Sequence, residues 1–131
     1  MRKPQLKNSP TERLVEEFRR LSSEHGHALE AANARAANRK FPHLVAIIGE
    51  LRSRDLDAQR QLLKLLADPE PSTRYWTATA VLDITPSEAE QVLEELVRTQ
   101  RNTIGVSAHF ALDRWREGTF NPSWGPLRNG K

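Results

Sequence analysis

Apolar residues recur along this chain every three or four positions, in blocks separated by proline and glycine, and that period predicts helices throughout. Leu14, Val15, Phe18 and Leu21 carry the first block. Ahead of them stands Ser9-Pro10-Thr11-Glu12, where Ser9 suits a cap, Pro10 the first helical position and Glu12 a return bond to the cap. Gly26 is the expected stop. Residues 28–54 read as a long helix, Ala-rich as far as Lys40 and then striped by Leu44, Ile47, Ile48 and Leu51. Pro42 lies between the halves and predicts a kink, or two helices.

Asp55 or Asp57 is positioned to cap a third helix carrying Leu62, Leu63, Leu65 and Leu66, which Asp68-Pro69-Glu70-Pro71 brings to a halt. A fourth runs from about Pro71 to Asp83. Thr85-Pro86-Ser87-Glu88 repeats the cap, proline and glutamate device and opens a fifth, with Ala89, Val92, Leu93, Leu96 and Val97. The sixth spans residues 103–116 through Val106, Ala108, Ala111, Leu112 and Trp115, and Gly118 ends it. No segment sustains strand alternation, so strand content is expected near zero.

Two of these blocks echo one another at an offset of thirty residues: Leu63, Leu66, Ala78, Leu82 and Asp83 return as Leu93, Leu96, Ala108, Leu112 and Asp113. A fixed period with matching apolar positions is the mark of stacked helical units, each burying its apolar face on its neighbour. The second copy lacks the turn prolines, and Asp68 and Arg74 become Arg98 and Ile104, as suits a terminal, capping unit.

At 131 residues the chain makes one domain, expected over residues 9–117, with a flexible basic arm at 1–8 and an irregular tail at 118–131. Only 37% of residues are hydrophobic and 6% aromatic, so the core is expected to be Leu- and Ala-rich and closely packed. The absence of cysteine excludes disulfides and Cys-ligated metals and suits a cytoplasmic location. The longest apolar run, residues 44–48, is far short of the roughly 20 needed to span a membrane. The net charge of +3 comes from 20 basic and 17 acidic residues, an imbalance too small to name a partner.

The segment Leu62-Leu63-Lys64-Leu65-Leu66-Ala67-Asp68-Pro69-Glu70-Pro71-Ser72-Thr73-Arg74, with Ala78, Val81 and Leu82 after it, resembles the unit of HEAT-type repeats, closest to the short phycobilisome-lyase-like version. The resemblance implies that Asp68 and Arg74 pair across the turn as structural residues. Residues 14–115 also resemble an uncharacterised bacterial family of small HEAT-like domains, through Ala36-Ala37-Asn38-Arg39, the Leu51 to Asp55 helix end and the Asp68-Pro69 turn. The implied fold is all-α, a right-handed stack of about six helices forming an α-α superhelix.

Candidate chemistry is sparse. Arg35 and Arg39, four apart with Asn38 adjoining, could present two guanidinium forks to a carboxylate or phosphate. Tyr75 and Trp76 sit one turn inside the fourth helix and point about 100° apart, so both cannot face the core centrally. Phe110 and Trp115 are expected to pack between units. His25 and His27 flank Gly26 in an expected loop, His43 follows Pro42 and His109 lies on the sixth helix, none with the i, i+4 partner a zinc site would show. There is no phosphate loop, nucleophile elbow or carboxylate pair beside a histidine, so no catalytic residue, metal or cofactor is assigned.

The expected function is protein recognition, as an adaptor or a toxin-neutralising immunity protein, with Arg35, Arg39, Tyr75, Trp76 and His109 as contacts. The alternative is nucleic-acid backbone binding, resembling HEAT-like DNA glycosylases, through Arg35, Arg39, Lys40, Arg52, Arg54, Arg60 and Lys64, against which stand only Glu50, Asp55 and Asp57. An enzyme without a recognisable motif is the third reading.

Overall fold

The computed structural model describes residues 6–125; the first five residues of the expected arm and the last six of the expected tail lie outside them. Among the described residues there are six α-helices and no strand: α1 (Thr11–Glu30), α2 (Ala34–Arg52), α3 (Leu56–Lys64), α4 (Pro71–Ala80), α5 (Pro86–Thr99) and α6 (Thr103–Glu117). Short 3-10 turns at Leu6–Asn8 and Leu65–Ala67 complete the order. The domain is thus all-helical.

The helix boundaries correct several expectations. Pro10, not Ser9, holds the cap position of α1, with φ −62° and ψ 150°. Order also begins earlier than residue 9: Leu6 packs on the core, and its carbonyl accepts from Arg54 Nη2 at 2.7 Å. Gly26 does not stop α1, which runs four residues further and ends in a Schellman turn. There the amide of Asn33 donates to Ala28 O, that of Ala32 to Leu29 O, and Ala32 takes the left-handed φ of 57° that glycine would normally supply. Gly26 is instead buried in the helix against Ser72 of α4, where a side-chain carbon would collide with it.

Asn33 caps α2 by accepting from the Ala36 amide, and Pro42 sits inside one continuous helix. Pro42 and Asn38 are both exposed, so the carbonyl that loses its bond can be hydrated and the helix is not divided. Asp55 caps α3 as expected, and Gly118 ends α6 at a left-handed φ of 79°. α4 stops at Ala80, three residues short of the expected Asp83.

Helix α4 lies at the centre, packed against α1 on one side and α5 and α6 on the other. Ser72, Thr73 and every residue from Trp76 to Leu82 are buried, as befits a helix surrounded by others. Its contact with α1 is made of small and hydroxyl side chains: Ser22 Oγ and Thr73 Oγ1 share a bond of 2.7 Å, and Ser72 Oγ donates to Ser22 O at 2.7 Å. Such residues let the two backbones approach closely. The aliphatic core, with Leu14, Phe18, Leu44, Ile48, Leu51, Leu62 and Leu93, fills the remaining space.

The thirty-residue echo is not the structural register. Leu63 and Leu66 are only partly buried, whereas Leu93 and Leu96 are fully covered. Burial aligns Ala58, Leu62 and Leu65 of the first pair with Ala89, Leu93 and Leu96 of the second, and Thr77, Ala80 and Val81 with Ala108, Ala111 and Leu112. That is an offset of 31.

The Asp68 and Arg74 side chains do not pair with each other. Arg74 Nη1 donates to the carbonyl oxygens of Asp68 (2.8 Å) and Pro69 (3.2 Å), while the Asp68 carboxylate accepts from Arg19 Nε (2.8 Å) and from the Glu70 amide (3.0 Å). Both side chains bond the turn, but the charge of Asp68 is met by α1. At the other end, buried Arg52 donates to both carboxylate oxygens of Asp83 (2.8 and 2.9 Å), to Ala80 O and to Gly125 O, joining α2, the end of α4 and the C-terminal segment. Phe120 and Trp124 of that segment pack on the core.

Candidate functional site

Helices α1, α2, α4 and α6 bring four rings and one hydroxyl into a connected group. Trp76 of α4, 5% exposed, is its floor. His25 of α1 meets it edge to face at 5.3 Å, Phe41 of α2 leans on it at 5.7 Å, and Tyr75 stands nearly perpendicular to it at 6.2 Å. Tyr75 reaches across to α6, where its phenol shares a hydrogen bond with Ser107. Burial pushes that phenol above its ordinary 10.0, and the bond with Ser107 opposes the shift.

The group is open at both ends. Phe41 is 42% exposed, and one turn beyond Ser107 on the same face of α6 stands Phe110, 52% exposed, with Val106 beside it at 57%. Phe110 therefore does not pack between units as expected, because the burying face of α6 is the one through Ile104, Ala108, Ala111 and Leu112. The Arg114 guanidinium lies over the Phe110 ring at 5.9 Å, and His109 flanks it. Trp115 does pack, and its Nε1 donates to Glu90 at 2.8 Å.

Two ring nitrogens inside the group, Trp76 Nε1 and His25 Nδ1, are buried without a hydrogen-bond partner among the described residues. An unpaired buried polar atom is unfavourable by about 1–3 kcal/mol. Burial lowers the His25 pKa below the ordinary 6.5, and the nearby Lys40 ammonium lowers it further.

Of the expected contacts, only Tyr75 and Trp76 touch one another, and Trp76 is buried in the core. His109 is exposed on α6 and lies 3.3 Å from the carboxylate of Asp113, one turn on. Arg35 and Arg39 are exposed and unpaired among the described residues, but they precede Phe41 by six and two positions, which turns both roughly 120–160° away from it around α2. His25 and Phe41 were missed. Each continues an apolar stripe already visible, His25 after Phe18 and Leu21, Phe41 before Leu44 and Ile48, and the expected stop at Gly26 hid the first.

Three side chains of the basic stretch are tied within the fold. Arg52 is buried in its pair with Asp83, Arg54 bonds Glu50, Leu6 O and Thr11, and Lys40 lies 3.4 Å from Glu24. Arg35 and Arg39 on α2, and Arg60 and Lys64 on α3, are left. A groove of about 410 Å³ between α1 and the 68–70 turn is lined by charges that satisfy one another, Arg19 with Glu16 and Asp68, Arg20 with Glu17 and Glu24. Among the described residues no three His, Asp or Glu side chains cluster as metal ligands would.

Residues 12–115 match the family model described as a domain of unknown function, DUF2019. The crystal structure of the protein RPA1889 from Rhodopseudomonas palustris is similar over 92% of this chain and the whole of that one, at 30% identity and a TM-score of 0.83. No curated protein matches.

Proposed function

We propose a protein-recognition role for this chain, which belongs to the DUF2019 domain family: its partner docks across the face shared by α2, α4 and α6. The observation that carries this reading is the pair of exposed rings, Phe41 leaning on Trp76 and Phe110 one helical turn beyond the Ser107 that bonds Tyr75. Aromatic side chains held on helices are well suited to anchoring a partner, since they offer large apolar area and lose little conformational freedom. The succession of pairs α3–α4 and α5–α6 supports kinship with HEAT-like stacks, in which one edge of every pair contributes to a common face. An adaptor or an immunity protein would use such a surface.

The test is affinity capture from the native host with the wild type, with Phe41→Ser/Phe110→Ser and with Val97→Ser as an exposed control on α5. Loss of a specific co-purifying protein in the double variant alone, at unchanged melting temperature, is the expected result. Equal capture by all three would remove the reading. Binding of duplex DNA that weakens steeply between about 50 and 200 mM salt would favour the backbone-binding alternative instead.

A further inference from the structure

His25 occupies a position that disfavours its charged form. Its ring is wedged against Trp76, its Nδ1 is sealed from water without a partner, and the charged group facing it from α2 is the Lys40 ammonium. Nothing that surrounds it offsets a positive charge well. Glu24, next to it on α1, is held by Lys40 at 3.4 Å and by Arg20 at 3.3 Å. Glu70, across from α1, lies 3.6 Å from His27 rather than from His25. From α4 the neighbours are Trp76 and, behind it, the neutral phenol of Tyr75.

We propose that His25 is an acid-operated latch on the aromatic face: neutral, it clamps Trp76 between α1 and α2, and protonated, it withdraws to water and frees Trp76 and Phe41. The mechanical element is local. His25 sits within the last two turns of α1, and the left-handed Ala32 turn after that helix leads into α2, which carries Phe41. Burial and the Lys40 charge both resist protonation, which places release on the acid side of 6.5. Once the imidazolium forms, its desolvation and its repulsion from Lys40 act in the same direction. The consequence for partner binding rests on the recognition face proposed above; the release itself does not.

The chain has three tryptophans, so Trp115→Phe/Trp124→Phe leaves Trp76 as the sole reporter. Its emission and acrylamide quenching are followed from pH 7.5 downwards, alongside the imidazole resonances of the four histidines. The expected result is a red shift and increased quenching of Trp76 with a midpoint below 6.5, tracking the His25 resonance, while far-ultraviolet circular dichroism holds. The transition is absent from His25→Gln and from His25→Phe, the second keeping a ring against Trp76, and present in His27→Gln. Persistence in both His25 variants, titration of His25 with Trp76 unmoved, or a His25 that stays neutral until the whole chain unfolds would each overturn the latch.

Discussion

Gly26 of α1 and Ser72 of α4 approach so closely that no carbon atom fits between them. A glycine that reads as a helix stop is thus a packing residue, and the Ser22–Thr73 and Ser72–Ser22 bonds one turn away depend on the same approach. Gly26→Ala gains about 1 kcal/mol of helix propensity but forces the helices apart, an overpacking cost of about 1–3 kcal/mol. Urea unfolding is expected to show net destabilisation, markedly smaller in a Ser72→Gly background where the obstructing carbon is gone.

Ala32 is the one non-glycine described residue with positive φ. A left-handed alanine costs roughly 1–2 kcal/mol, part of which glycine gives back as greater freedom when unfolded. Ala32→Gly should therefore raise stability by about 0.5–1 kcal/mol. A lower urea midpoint would contradict the turn geometry.

Arg52 is 6% exposed and donates to a carboxylate and two carbonyls. A lysine cannot reproduce the planar fork, so Arg52→Lys is expected to destabilise, and Arg52→Ala to destabilise further, by about 1–3 kcal/mol, because it removes the one buried donor that the Ala80 and Gly125 carbonyls and the Asp83 carboxylate share. Limited proteolysis offers a second readout, since loss of the Gly125 contact should expose the 119–125 segment to cleavage in both variants.

Double-mutant cycles distinguish the two arginines near Asp68. Asp68→Asn and Arg19→Met should couple by about 0.5–1 kcal/mol, because Arg19 bonds the carboxylate. Asp68→Asn and Arg74→Met should not couple measurably, since Arg74 touches only the backbone oxygens of the turn. Comparable coupling in both cycles would restore a direct pairing.

Tyr75 is the only tyrosine, so its tyrosinate absorbance titrates without overlap. Burial holds its proton past the ordinary 10.0, where the unfolded phenol has begun to lose it. The native state then binds more protons than the unfolded state, and stability falls as pH rises through that range. Tyr75→Phe should flatten the alkaline decline; an unchanged slope would show that Tyr75 is not its source.

The helices were legible because each signal was local. Asp55, the Asp68-Pro69 turn, Pro86 and Gly118 act on the backbone within one turn, whatever surrounds them. Glycine was ambiguous for a physical reason: the same missing side chain serves a left-handed turn or a close helix contact, and only the position of α4 decides which Gly26 is. The echo at thirty residues misled by a single position, since α3 and α5 rotate to bury Leu62 with Leu93 rather than Leu63 with Leu93.

The amino-acid sequence by itself determined that the chain is a succession of about six helices with small and leucine-rich faces, because period, caps and proline breaks are properties of neighbouring residues. Which of its polar groups remain free was decided only by the tertiary structure. Arg52 and Arg54 became internal ties, Asp68 turned to Arg19, and His25 was carried onto Trp76, 51 residues away in sequence. Those outcomes depend on how α1, α2 and α4 are set against one another, a relation between distant segments that no local spacing encodes.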